Sequence, residues 1–298
     1  MKTGKTLCFV VTSLALACAQ AAPDIQTTLF LGNNTQGIAT DPALAKAYVT
    51  NFDDHTVSAI DMQTLTVVAT INVAPHPRRV IADSATSFVY VTNSNTPGTV
   101  TLIKGLNVGS SLNPLIGTIP VGDDPRGLGS NFLIGQVYVS NFADNSVSVI
   151  STATNSVVAT IPTGTAPLAP NSNDVMKKMY VVNSGDNTVS VIDEQALAVI
   201  KTIPVGQGPI NASIDAEHDK VYVNNATDRT ISVISSATDT VIATLPSGAG
   251  GTGNTANFRD DQRRLPSGLF AQCRRPPPRS CRVPSRIPTC RPSLPTAA

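Results

Sequence analysis

Residues 164–206 read GTAPLAPNSNDVMKKMYVVNSGDNTVSVIDEQALAVIKTIPVG, and this stretch decides the fold because the chain repeats it. Its central YVVN motif has four relatives, and the tyrosines that begin the motifs are 42, 48, 42 and 42 residues apart. Each period contains four short apolar, β-branched runs separated by turn residues. A fixed period of this length with four strand-like runs is typical of a β-propeller. The sequence therefore predicts an all-β protein of four-stranded antiparallel blades.

Five complete blades and a partial closing blade are predicted. Residues 28–32 (TLFLG) match the fourth run of a repeat, with Gly32 in the place of Gly164. In closed propellers such a strand completes a blade whose other strands come from the opposite end of the chain, which removes free edges. Four of the five fourth runs end at a proline, which cannot donate to a ladder. We therefore expect the fourth run to be the outermost strand of each blade.

Residues 1–21 have the pattern of a secretory signal peptide. A basic start precedes a short apolar run and an Ala-x-Ala exit, so cleavage is expected after Ala21 or Ala22. The apolar run is too short for a permanent membrane span. Lipidation at Cys18 is the less favoured alternative, because Ala15 stands where a leucine is usual. We expect a periplasmic or secreted protein, with possible attachment to the cell surface.

The repeats occupy residues 25–258, and the composition then changes. Residues 259–298 contain nine arginines and eight prolines, which is typical of a disordered tail. Because the change falls inside a repeat, we favour the hypothesis of a reading-frame change near Leu265 in a longer gene. A natural arginine-rich tail is the alternative.

Charge and cysteine usage exclude several classes of function. The net charge of +1 conceals ten Lys and Arg against eighteen Asp and Glu in residues 22–258, so no nucleic-acid partner is expected for the repeats. No cysteine occurs between residues 19 and 272, so neither disulfides nor thiolate metal ligands are expected there. The histidines share no ligand spacing, and we predict no metal site and no cofactor; they are His55, His76 and His218.

The tyrosine motifs, with the Gly-x-x-Pro sequences at 122–125, 164–167 and 206–209, resemble the YVTN-repeat β-propeller family over residues 25–253. The resemblance implies an exported or surface-associated propeller, typically seven-bladed as in surface-layer proteins, and seldom with an assigned reaction. Related repeats also accompany dehydrogenase subunits. Since five complete copies are present here, an unclosed blade edge would allow self-association.

The repeated tyrosines and asparagines are interpreted as structural, because five copies of one residue seldom form one active site. We expect the tyrosines to fill equivalent gaps between blades and the asparagines to satisfy turn backbones. The tyrosines are Tyr48, Tyr90, Tyr138, Tyr180 and Tyr222. The asparagines are Asn51, Asn93, Asn141, Asn183 and Asn225.

Arginines at the start of two first strands are the least generic feature of the chain. Arg78 and Arg79 follow one proline, and Arg126 follows another, which places them at one mouth of the predicted channel. Guanidinium groups there could bind a small anionic ligand through paired hydrogen bonds; a solubilising rim is the alternative. Asp123 and Asp124 beside Arg126 are a candidate cation or substrate site, with a solvated turn as the alternative.

These features favour an exported binding or protein-interaction scaffold without an identifiable catalytic site. Its partner would be an unknown protein or a small anionic ligand. The alternative is a periplasmic enzyme or enzyme subunit, either a calcium-dependent hydrolase that resembles lactonase propellers or a propeller associated with a dehydrogenase.

Overall fold

The computed structural model describes residues 27–105 and 114–247. The predicted signal peptide, most of the loop that lengthens the second repeat, and the arginine-rich tail lie outside these ranges. The described residues all belong to one compact unit, Met1–Arg259. They form twenty strands and one short 3-10 helix, Phe132–Ile134.

The strands group in fours along the chain. Blade 1 contains β1 (Thr35–Asp41), β2 (Lys46–Asn51), β3 (Thr56–Asp61) and β4 (Thr66–Asn72). Blade 2 contains β5 (Pro77–Asp83), β6 (Phe88–Asn93), β7 (Thr99–Lys104) and β8 (Leu115–Pro120). Blade 3 contains β9 (Pro125–Asn131), β10 (Gln136–Asn141), β11 (Ser146–Ser151) and β12 (Ser156–Pro162). Blade 4 contains β13 (Pro167–Asn173), β14 (Lys178–Asn183), β15 (Thr188–Asp193) and β16 (Ala198–Pro204), and blade 5 contains β17 (Pro209–Asp215), β18 (Lys220–Asn225), β19 (Thr230–Ser235) and β20 (Thr240–Pro246).

Each group is an antiparallel sheet whose strands keep their order in the chain. The first strands of successive blades contact one another from β1 through β5, β9 and β13 to β17, so they form the inner side. The fourth strands are outermost, and four of them end at the predicted prolines, namely Pro120, Pro162, Pro204 and Pro246. The prediction of a β-propeller with four-stranded antiparallel blades is confirmed.

The core consists of four similar layers between neighbouring blades. Between blades 1 and 2, Tyr48 and Val57 pack against Val89 and Val91. Equivalent clusters join blades 2 and 3, 3 and 4, and 4 and 5. Both faces of an inner blade are therefore apolar, which explains why the second and third strands read as nearly continuous hydrophobic runs.

The two end blades differ from the inner ones. Leu245 of β20 is 47% exposed, whereas Ile203 at the same repeat position of blade 4 is 3% exposed. Tyr222 on the same face is also partly exposed. Within the described residues, no hydrophobic cluster joins this face of blade 5 to blade 1. This is the unclosed face from which self-association is predicted, and that remains a prediction.

The outer face of blade 1 is covered by the segment that precedes it. Leu29 and Leu31 pack against Ala47, Val49 and Ile60. In the repeat register Leu29 stands where Ile71 stands in blade 1, so the segment takes the place of an outermost strand. Residues 27–32 nevertheless belong to no sheet in the described part of the chain.

The repeated tyrosines lie between blades. Four of them have no exposed surface, and these are Tyr48, Tyr90, Tyr138 and Tyr180. The Tyr90 hydroxyl donates to Asn155 of the next blade at 2.7 Å, and the Tyr180 hydroxyl donates to Asp239 of the next blade at 2.8 Å. Leu197 occupies the equivalent turn position opposite Tyr138, whose hydroxyl donates instead to Gln136 of its own strand. Burial raises the pKa of Tyr90 to about 12.

Four of the five repeated asparagines bond to side-chain hydroxyls and not to turn backbones, so that expectation is corrected for them. The Asn183 amide donates to the hydroxyls of Thr188 and Ser190 on the neighbouring third strand, both at 2.9 Å. Three other copies make the same pair of contacts in their own blades, and they are Asn51, Asn141 and Asn225. The Asn93 amide is turned the other way, so that its oxygen accepts from the hydroxyls of Thr99 and Thr101 and its Nδ2 donates to the Ala74 carbonyl at 3.1 Å. The amide therefore ties the second strand to the third at one end of each blade.

Candidate functional site

The arginines that begin β5 and β9 are positioned by the chain segments that cross between blades. His76 and Asp124 directly precede the two first strands, and both have left-handed backbones, with φ of 57° and 49°. His55 Nδ1 accepts a hydrogen bond from the His76 backbone N–H at 3.1 Å, so the proton of the neutral His55 ring lies on Nε2. The Asp124 backbone N–H donates to the Asn95 carbonyl oxygen at 3.1 Å. Since these contacts fix the crossovers, they also fix the direction in which each first strand starts.

An open cleft of about 480 Å³ lies where blades 1, 2 and 3 meet at this end. It combines an aromatic wall, two guanidinium groups, one carboxylate and several neutral polar side chains. Its lining residues are Phe52, His76, Arg78, Ser94, Asn95, Thr96, Asp124, Arg126 and Ala143. We call it the mouth cleft.

Arg78 projects into the mouth cleft with much of its guanidinium available. Its Nε donates to Ser94 Oγ at 3.1 Å, and its Cζ lies 5.3 Å from the centroid of the Phe52 ring. The His76 ring lies 5.0 Å from the Phe52 ring and continues this aromatic wall. Among residues 27–105 and 114–247, no carboxylate lies within ion-pair distance of Arg78.

Arg126, unlike Arg78, forms an ion pair with a carboxylate. Its Nε and Nη2 contact Asp124 Oδ2 at 2.8 Å and 2.6 Å, and its Cζ lies 3.5 Å from the centroid of the Phe142 ring. The ion pair and the stacking hold this guanidinium in place. Asp124 is therefore a partner of Arg126 and not a free cation ligand.

The protein surroundings of Arg78 disfavour its positive charge. Burial lowers the pKa of Arg78, the positive charge of Arg126 lowers it further, and Asp124 opposes both effects. The guanidinium stays protonated at any physiological pH because an arginine pKa starts above 12. An anion bound beside Arg78 would relieve this unfavourable energy, so the cleft is electrostatically suited to an anion.

The predicted site residues are only partly brought together. Arg78, Asp124 and Arg126 line the mouth cleft, whereas Arg79 and Asp123 do not. Arg79 follows Arg78 on β5 and is exposed. The Asp123 backbone N–H donates to Asp144 at 2.7 Å, one of four equivalent contacts that fasten the crossovers.

The aromatic residues of the cleft were missed by the sequence reasoning. Phe52 and Phe142 both directly follow the asparagine of a tyrosine motif, where the other copies have serine or alanine. Two phenylalanines at the same repeat position, where the other copies have small residues, were a usable signal. What the sequence could not show is that Phe52 reaches Arg78 of the following blade while Phe142 stacks on Arg126 of its own.

In the described ranges, no three His, Cys, Asp or Glu side chains are grouped so that they could hold a metal ion. His218 instead contacts Asp215 at 3.0 Å in a turn of blade 5. In the same ranges, no helix is long and apolar enough to cross a membrane.

A second unusual polar group lies away from the cleft, between blades 3 and 4. Glu194 is fully buried, and it accepts hydrogen bonds from Asn131 and Ser172, both at 2.6 Å. The Ser172 hydroxyl also lies 2.6 Å from Asp174, yet it has one proton and can donate to only one carboxylate. If Glu194 is protonated, its O–H group donates to Ser172 Oγ and the Ser172 hydroxyl donates to Asp174, so both contacts are satisfied. Burial raises the pKa of Glu194, although the bonds from Ser172 and Asn131 oppose this shift.

We predict that Glu194 makes the protein less stable as the pH rises. Because its pKa is higher in the folded state, the folded protein binds more protons than the unfolded chain above the ordinary glutamate pKa of about 4.3, so stability falls as the pH rises from there through the raised pKa. Glu194→Gln should remove this effect. Its melting temperature relative to wild type should increase between pH 5 and pH 8. Glu217→Gln, at the exposed second glutamate, is the control, and a Glu194→Gln difference that does not change with pH would contradict the assignment.

Comparison with known proteins adds to the fold but not to the site. No family model matches the chain, and no curated protein matches it. The solved structure titled "Kuenenia stuttgartiensis Hydrazine Synthase" is similar to this chain, with a TM-score of 0.52 and 14% identity over 74% of this chain and 89% of that one. At this identity the similarity supports the β-propeller fold alone.

Proposed function

We propose that this protein is an exported propeller scaffold that binds a small anionic ligand, such as a carboxylate, in the mouth cleft. The observation that supports this most directly is the state of Arg78. It is a half-buried guanidinium in an open cleft, with one neutral hydrogen-bond partner and, among the described residues, no carboxylate within ion-pair distance. A carboxylate can accept two parallel hydrogen bonds from one guanidinium, which gives both affinity and orientation.

The remaining residues of the cleft have complementary roles. Phe52 and His76 offer two ring faces, inclined to each other by 34°, against which the carbon part of the ligand can pack. Ser94, Asn95 and Thr96 supply neutral polar groups that can fix its orientation. Export is proposed from the signal-peptide pattern, and the enzyme alternative gains no specific support from this arrangement.

The proposal predicts that anions stabilise the protein through Arg78. Citrate should raise the melting temperature of wild type above the value in sodium chloride of equal ionic strength, because a ligand that binds the folded state stabilises it. Arg78→Gln should abolish most of this shift. Arg229→Gln removes the same charge from an exposed turn of blade 5 and should leave the shift unchanged.

The measurement is a thermal melt of the three proteins across a citrate titration. Equal citrate shifts in wild type and Arg78→Gln would overturn the assignment of the ligand to the mouth cleft. A shift that the chloride control reproduces would overturn specific anion binding.

A further inference from the structure

The outer face of blade 1 carries a cavity of about 290 Å³ that the mouth cleft does not touch. It lies between residues 30–32 and the sheet of blade 1, and we call it the blade 1 cavity. Its lining residues are Phe30, Leu31, Gly32, Asn51, Asp54, Thr56, Ser58, Val67 and Thr70.

The interfaces between complete blades show which side chain normally packs on this face of a blade. In each of blades 1 to 4, the second residue of the third strand is a valine. It is fully buried in the hydrophobic cluster that the blade shares with the next one. These valines are Val57, Val100, Val147 and Val189. Blade 1 has no preceding blade among the described residues. The cavity therefore lies on the one blade face that lacks this valine.

Residues 28–32, beside the cavity, occupy the position of an outermost strand, and in the described part of the chain no third strand pairs with them. Leu29 and Leu31 are seated on blade 1 in the register of a fourth strand, while Phe30 is 86% exposed. The carboxyl-terminal end of the segment is fastened, because Asp54 accepts a hydrogen bond from the Asn33 backbone N–H at 2.7 Å. In every complete blade, the strand that pairs with the fourth strand is the third.

We propose that the blade 1 cavity and residues 28–32 together accept one extended strand of a partner protein. The added strand would pair with residues 28–32 and insert a β-branched aliphatic side chain into the cavity. Strand addition of this kind takes its affinity from main-chain hydrogen bonds and its specificity from pockets for alternate side chains. The internal third strands define the chemistry of this partner, because they all alternate apolar and small polar residues, as in β15 (TVSVID).

The test uses the full chain and a fluorescein-labelled peptide with the sequence of residues 186–194 (DNTVSVIDE). Fluorescence anisotropy should show saturable binding. The same peptide with the Val189→Glu change should bind at least tenfold more weakly, because a carboxylate would be buried without a partner beside Asp54, which also lines the cavity.

Two protein variants locate the binding. Val67 lines the cavity, whereas Val68, the next residue on β4, does not. The two side chains are matched in exposure, at 39% for Val67 and 48% for Val68. Val67→Arg should weaken peptide binding at least tenfold, and Val68→Arg should not. Thermal melts show whether both variants fold. If Val67→Arg does not fold, the comparison of the two peptides on the wild-type protein tests the proposal by itself.

Three outcomes would overturn the proposal. They are the absence of saturable binding, equal binding of the two peptides, and equal effects of two folded variants. Occupation of the cavity by another segment of the same chain would also appear as absence of binding. The mouth cleft is not involved, so these outcomes leave the proposed anion site untouched.

Discussion

Tyr180→Ala should unfold this protein far more readily than the same change at Tyr222. Tyr180 is fully buried between blades 4 and 5, and its hydroxyl bonds to Asp239, which also holds Lys178 at 2.6 Å. Removing the ring leaves a large cavity, which costs about 3–5 kcal/mol for an aromatic side chain. Tyr222 occupies the same repeat position on the open face of blade 5, where much less of the ring is buried, and its loss should cost about 1 kcal/mol.

Chemical denaturation of both variants and wild type measures the difference in the free energy of unfolding. The pair is matched, since the residue type, strand position and substitution are the same. Equal losses for the two variants would mean that the face of blade 5 is covered in solution as completely as the inner faces.

The second large effect is expected at a glycine whose partner is the repeated asparagine. A Cβ atom added at Gly164 would lie 2.5 Å from Asn183 Nδ2, 2.7 Å from Asn183 Cγ and 2.8 Å from Asp186 Oδ2. The amide cannot move away without breaking its bonds to Thr188 and Ser190. Gly164→Ala should therefore cost about 1–3 kcal/mol, as overpacking of a tight site does.

Gly117→Ala is the control for this prediction. Gly117 lies in β8, and no atom lies within 4 Å of the position that its Cβ would take. Alanine there should leave stability unchanged or raise it slightly, because glycine weakens a strand interior by about 0.5–1 kcal/mol relative to alanine. A Gly164→Ala protein as stable as Gly117→Ala would contradict the contact between Gly164 and Asn183.

The repeat period carried much of the structural prediction, because a β-propeller is built from local units. Each blade is complete within about one period, and alternating turn and β-branched residues specify its strands directly. The repeat register also predicted that the prolines lie on the outermost strands. It assigned Leu29 to the position of a fourth-strand residue, and Leu29 packs on blade 1. The partners of the asparagines were not predictable, because an amide side chain can satisfy either a turn backbone or a neighbouring hydroxyl.

The sequence by itself determined the unit and its number of complete copies. Only the tertiary structure decided which of Arg78 and Arg126 keeps an available charge, because Arg78 is surrounded by residues that are distant from it in the chain. Asp124 lies two residues before Arg126 and neutralises it, whereas Arg78 faces Phe52 and Ser94 and keeps an available guanidinium. The same holds for Glu194, which lies in the turn after β15 and is buried against Asn131 of the preceding blade. Burial and pairing are properties of the stacked blades, and a repeat pattern fixes the blades without fixing the individual contacts between them.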